Sequence, residues 1–153
     1  VFRVKVPVGR LQPKRRTQDE SRMVSNDGGL GGAMVWVIDN DHAICQGMQT
    51  LLEGWDCQVV SAVSLEDLER QLDPAQSPVD LILADYHLDN DENGVDVVAS
   101  INSRRHCPAP VVMITANYSH ELKQHIRDQG YLLVNKPVKP LKLRSALNHL
   151  MQR

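Results

Sequence analysis

From Met34 onward the chain alternates short apolar runs with stretches of helical periodicity, five times over, and this rhythm limits the possible folds more than any other feature. The central run, Leu81 to Ala84, is unbroken and ends on the carboxylate of Asp85. An uninterrupted run bounded by turn residues fits a strand buried on both faces, since a half-exposed strand alternates apolar with polar. Strand one covers roughly Val35 to Ile38, strand two Cys57 to Ser61, strand four Val111 to Ile114, and strand five Tyr131 to Val134. Between them lie helical patterns. Helix one carries Ile44, Met48, Leu51, Leu52 and Trp55 after Asp41 as N-cap; helix two carries Leu65, Leu68 and Leu72 after Ser64, with Pro74 beyond its end. Helix three begins near Gly94 with Val95, Val98 and Ile101. Helix four runs from Ser119 through Leu122 and Ile126 to a stop at Gly130, and a last helix from about Pro140 presents Leu143, Leu147 and Leu150. Parallel strands need crossovers, and crossovers are right-handed. The pattern therefore predicts an α/β fold, a doubly wound parallel sheet covered by helices on both sides.

The residues before this pattern read differently. In VFRVKVPVG, Phe2, Val4 and Val6 alternate with Arg3 and Lys5 up to Pro7 and Gly9, the period of a half-buried strand over residues 1–9. Residues 10–33 mix Lys14, Arg15, Arg16 and Arg22 with Asp19 and Glu20, then Gly28-Gly29-Leu30-Gly31-Gly32. So few apolar residues cannot offset the entropy of ordering, which predicts a flexible linker leading to a domain at 34–153. The glycine cluster precedes a strand, whereas phosphate-cradling loops follow one, so it is not read as a nucleotide site. A net charge of −2 gives no sign of a nucleic-acid surface, since phosphate binding would call for a basic excess. No run approaches the roughly 18 apolar residues of a membrane-crossing helix. Cys45, Cys57 and Cys107 lack metal-ligand spacing and are expected to be reduced packing residues of an intracellular protein.

The strand ends carry the chemistry. Strands one, three, four and five run into Asp39, Asp85, Thr115 and Lys136, so one edge of the predicted sheet gathers two carboxylates, a hydroxyl and an ammonium. In open α/β sheets the crevice beyond the carboxyl ends of the strands is where ligands bind. Singly, each residue has a plain explanation: a cap, a turn, a strand-end hydroxyl, a snorkelling lysine. Four complementary groups at four equivalent positions suggest a common task. Two acids in an oxygen-rich pocket suit Mg²⁺, and a carboxylate can serve as nucleophile to form an aspartyl-phosphate. Lys136 could neutralise charge on a transferring phosphoryl group while Thr115 donates a hydrogen bond to it. The predicted act is transfer of a phosphoryl group onto Asp85.

With these marks in their order and spacing, residues 34–153 resemble a response-regulator receiver domain. The resemblance rests on Asp39-Asn40 after strand one, Asp85 after strand three, Thr115-Ala116 after strand four and Lys136-Pro137 after strand five. It implies a flavodoxin-like (βα)5 fold with strand order 2-1-3-4-5. It also implies roles: Asp85 as phosphoacceptor, Thr115 as switch hydroxyl, Lys136 as phosphate-binding lysine, and Asp39, Asn40, Asp85 and the backbone of His87 around Mg²⁺. His87 and Asn117 match positions that tune phosphate lifetime, and the Lys136-Pro137 bond matches one that is usually cis in the family. Two departures stand out. Asn40 occupies a position that is usually a second acid, so weaker Mg²⁺ binding is expected, with Asp41 either compensating or only capping helix one. Leu133 occupies the place of the usual switch aromatic, and Tyr131 lies two residues earlier on the same strand face.

The first nine residues resemble the final strand of a histidine-kinase ATP-binding domain, and no DNA-binding module follows the last helix. Together these imply the C-terminal receiver of a hybrid sensor histidine kinase. Its expected partners are the kinase domain of the same parent chain and a histidine-phosphotransfer protein, with neither nucleic acid nor direct membrane contact. The expected location is cytoplasmic, whether or not the parent is membrane-anchored. Such a fragment would catalyse only its own phosphorylation and dephosphorylation. Two other readings stay open: a phosphorylation-independent docking module, suggested by Asn40 and Leu133, and a haloacid-dehalogenase-like phosphatase, with His87 where the acid/base aspartate would stand; a nucleotide-binding flavodoxin-like protein fails for want of a phosphate-cradling glycine loop after strand one.

Overall fold

Each of the five apolar runs from Met34 onward becomes a strand: β1 (Met34–Ile38), β2 (Gln58–Ala62), β3 (Leu81–Asp85), β4 (Val111–Thr115) and β5 (Leu132–Asn135). The structure is a computed structural model and describes residues 30–89, 92–116 and 119–151. The strand expected at 1–9, most of the linker expected at 10–33, and Asn117 lie outside the described residues. The five strands form one parallel sheet in the order β2-β1-β3-β4-β5, which is the doubly wound order 2-1-3-4-5. Position in the sheet explains how strongly each strand showed in the sequence. The interior strands β3 and β4 are buried at every residue and β1 at all but Met34, whereas the edge strands β2 and β5 are largely half-exposed.

The helices are α1 (His42–Glu53), α2 (Leu65–Gln71), α3 (Gly94–Arg104), α4 (His120–Asp128) and α5 (Pro140–Met151). Four N-termini are held by the side chain before them. Asp41 accepts from the amides of Ala43 and Ile44, Ser64 from Asp67, Asn93 from Asp96, and Ser119 from Leu122. Gly130 follows the end of α4 with φ +83°, a left-handed conformation that favours glycine. On one face of the sheet Trp36, Ile38, Ile82, Ala84 and Met113 pack with Leu68 of α2, Val98 and Ile101 of α3, and Ile126 of α4. Helices α1 and α5 are neighbours, with Arg144 of α5 lying 5.5 Å over the ring of Trp55 just past α1. They bury Cys45, Met48 and Leu52, and Leu143, Leu147 and Leu150, respectively.

Three details differ from the sequence reading. Cys57 precedes β2, and Tyr131 precedes β5 while packing on the core beside Leu133. Cys107 is exposed rather than packed, because the turn after α3 carries it to the surface, whereas Cys45 and Cys57 are buried. In α1 the inward stripe includes Cys45, and Ile44 is left 37% exposed. The position of the sheet, more than hydrophobicity, selects which face of this helix is covered.

Candidate functional site

Because β1, β3, β4 and β5 are parallel and nearly in register, their carboxyl ends lie side by side. Ile38 pairs with Ala84, Asp85 with Ile114, and Thr115 with Asn135. The next residue of β1 is Asp39, whose amide donates to the carbonyl of Ala62 at 3.1 Å. The next of β5 is Lys136, whose amide donates to the carbonyl of Thr115 at 3.0 Å. Asp39 and Asp85 are each 4% exposed, and Thr115 is fully buried. Lys136 reaches across both acids, with Nζ 3.2 Å from Oδ2 of Asp85 and 3.9 Å from Oδ2 of Asp39. Oδ1 of Asp85 accepts from the backbone amide of His87 at 3.3 Å, and Oδ1 of Asp39 from that of Asp41 at 2.9 Å. The Lys136-Pro137 peptide bond is cis. The structure thus brings Asp39, Asp85, Thr115 and Lys136 to one end of the sheet, with His87 immediately beyond β3.

Charge at this end is unbalanced. Burial pushes the Asp39 carboxyl above its ordinary range; the charges of Asp85 and Asp41 push the same way, and the Asp41 amide and Lys136 oppose them. Two buried carboxylates facing one ammonium make a pocket that favours an added cation. Mg²⁺ commonly takes one or two carboxylates and keeps several waters. Among the described residues no group of three or more His, Cys, Asp or Glu side chains is placed to cage an ion. The hard-oxygen pair therefore fits Mg²⁺ better than a metal that needs a full protein cage. Beneath the pair, Sγ of Cys45 donates to the Asp39 carbonyl at 3.2 Å, and burial with the Asp39 charge pushes this thiol up to about 11. It stays protonated and packs.

Asp39→Asn tests this balance. The amide can still accept from Asp41, while the buried charge is removed. A carboxyl whose folded pKa is raised binds more protons folded than unfolded, so its contribution to stability falls as pH rises from near its unfolded value of 3.8 through the folded value. The metal-free variant is expected to melt above wild type at neutral pH, with the gap closing as pH falls toward that unfolded value and with little further gain on adding Mg²⁺. A lower neutral-pH Tm for the variant would contradict the balance.

Of three neighbours in the site, the helix-capping role of Asp41 was expected and the contacts of Gly94 and Asn40 were not. Gly94 opens α3 directly against β3: its amide donates to the Tyr86 carbonyl at 2.7 Å, and a Cβ there would collide with the Asp85 carbonyl oxygen. Asp41 uses its carboxylate to cap α1, with Oδ1 2.9 Å from the Ala43 amide. Asn40 turns its Nδ2 to Oδ1 of Asp89, 3.0 Å away and 49 residues on in the chain. A glycine before a helix does signal a tight approach, but the side-chain pair left no mark in the local pattern.

The family model for the response regulator receiver domain matches residues 35–148. A response regulator receiver domain protein from Clostridium thermocellum is similar in structure, with a TM-score of 0.69 at 24% identity over 79% of this chain and 95% of that one. Chemotaxis protein CheY4 of Vibrio cholerae has a TM-score of 0.66 at 23% identity over 78% of this chain and 99% of that one. The DrrB receiver domain, solved in a BeF3-activated form, has a TM-score of 0.67 at 19% identity over 80% of this chain and 99% of that one. No curated protein sequence matches.

Proposed function

The chain belongs to the response-regulator receiver family, a family of two-component signalling, and on that footing we propose that Asp85 accepts a phosphoryl group from a phosphohistidine. The observation that carries this reading is the buried cluster at the strand ends, with Lys136 joining Asp85 and Asp39. One carboxylate oxygen of Asp85 attacks phosphorus. As the O–P bond forms, the P–N bond to the donor imidazole breaks and its electron pair returns to the ring. The acceptor is fixed by its place at the end of a fully buried strand and by the His87 amide, so little motion is lost on reaching an in-line geometry. Lys136 supplies positive charge from one side for the phosphoryl oxygens, and the Thr115 hydroxyl is the donor expected on another. Asp39, Asp85, the Asn40 amide oxygen and the His87 carbonyl would hold Mg²⁺, which when bound supplies charge neutralisation for the transferring group.

A surface for the donor adjoins the site. Ile44, Gly47, Met48 and Leu51 of α1 line a mostly apolar hollow of about 310 Å³ with Lys136, Pro137 and Val138. Lys136 lies both in this hollow and at the acceptor. We assign the hollow to the helix bearing the phosphohistidine, either on the kinase domain that the resemblance of residues 1–9 implies for the parent chain or on a histidine-phosphotransfer protein. The reading puts the domain in the cytoplasm, where an ATP-dependent kinase works. Among the described residues no helix is long and apolar enough to cross a membrane. Neither the docking-only reading nor the phosphatase reading is favoured by the family match.

The test is intact mass after incubation with acetyl phosphate, with Mg²⁺ or with a chelator. One added phosphoryl group per chain, dependent on the metal, is the expected result. A mass unchanged under every donor would leave only docking as a function.

A further inference from the structure

Asn40 stands where the family usually places a second acid, and its side chain is engaged in a way that bears on that loss. Its Nδ2 donates to Oδ1 of Asp89 at 3.0 Å, tying the turn after β1 to the loop after β3. A carboxylate only accepts, so the amide must show Asp89 its NH₂ end, and the oxygen becomes its remaining atom with lone pairs for a cation. Asp89 is itself held in place. Its carbonyl accepts from the Glu92 amide at 3.2 Å and the Leu88 amide donates to the Glu92 carbonyl at 3.2 Å. His87 bridges to Asn93, closing the loop on itself, and Leu88 anchors it with 9% exposure.

We propose that Asp89 is a positioning residue for the magnesium site: through Asn40 it orients the amide, and it restores beside position 40 a negative charge that the amide lacks. The inference rests on the reading that Asp39 and Asp85 bind Mg²⁺. In this role Asp89 works through Asn40, whose Nδ2 its Oδ1 accepts, rather than as a ligand itself. It acts as outer partners of metal ligands generally do, fixing the ligand's orientation and raising the local charge. Sequence reading missed it because nothing local links two residues 49 apart.

Calorimetric titration of Mg²⁺ into metal-free protein tests this on wild type, Asp89→Asn, Asn40→Asp and the double variant. Asp89→Asn is expected to raise the Kd for Mg²⁺ about tenfold, the low end for such partners because both residues are exposed and screened. In the Asn40→Asp background, where the ligand carries its own charge and needs no orienting, the same change should raise it less than about threefold, the difference marking the coupling. An unchanged Kd in Asp89→Asn, or an equal loss in both backgrounds, overturns the proposal while leaving the magnesium site intact. Failure of wild type to bind Mg²⁺ at all overturns both.

Discussion

Asp85→Asn is expected to abolish phosphorylation. Treated with acetyl phosphate and Mg²⁺, wild type should gain one phosphoryl group by intact mass and the variant none. The substitution alters the nucleophile and little else. An amide has nearly the size of a carboxyl group, its oxygen can still accept from the His87 amide that now serves Oδ1 at 3.3 Å, and Thr115 and Asp39 keep their places at the neighbouring strand ends. Nor should the fold suffer, because the change removes one of two buried acids that share Lys136. A circular-dichroism melt no lower than that of wild type would show that the lost phosphorylation is chemical. Phosphorylation retained in the variant would move the acceptor to another residue and defeat the assignment.

Gly94→Ala should have the largest effect on stability of any single methyl added near the site. The new Cβ would collide with the Asp85 carbonyl oxygen and would lie 2.8 Å from Sδ of Met113 and 3.0 Å from the Asp85 carbonyl carbon. Met113 is fully buried, and the other partner is backbone at the end of a fully buried strand, so neither can swing aside as an exposed side chain would. Such overpacking should destabilise the domain by about 3 kcal/mol, the upper part of the range for inserted methylenes, lowering Tm by roughly 10 °C. The strain falls on the peptide that carries the acceptor. The rate of phosphorylation by acetyl phosphate should therefore also drop, even at temperatures where the variant is folded. A Tm within about 2 °C of wild type would mean that α3 can retreat from β3 at little cost.

Both variants bear on residues whose legibility in the sequence was unequal. Asp85 could be found because the run before it is buried on both faces and so contains no polar residue to blur the strand's end. Asp39, Thr115 and Lys136 followed by the same logic, each at or just past the end of a strand. The edge strands were read less sharply: β5 starts one residue later than expected and β2 excludes Cys57. Half-exposed strands accept mixed residues, and this softens their boundaries. Gly94 was located as the start of a helix, but its contact with Asp85 requires knowing how closely α3 descends on β3.

What the sequence determined by itself was therefore the list of elements, the parallel sheet they form, and the four strand-end groups Asp39, Asp85, Thr115 and Lys136. These depend on periodicity and on the rule that parallel strands, joined by right-handed crossovers, all point the same way. Tertiary structure alone decided how those groups are shared out. It placed Lys136 between two acids, turned the Asn40 amide to Asp89, and set Gly94 against the acceptor's own peptide. The physical reason is range. Periodicity reports which side of an element faces the core, whereas hydrogen bonds and steric contacts are settled over about 3 Å, between atoms that only the packed chain brings together.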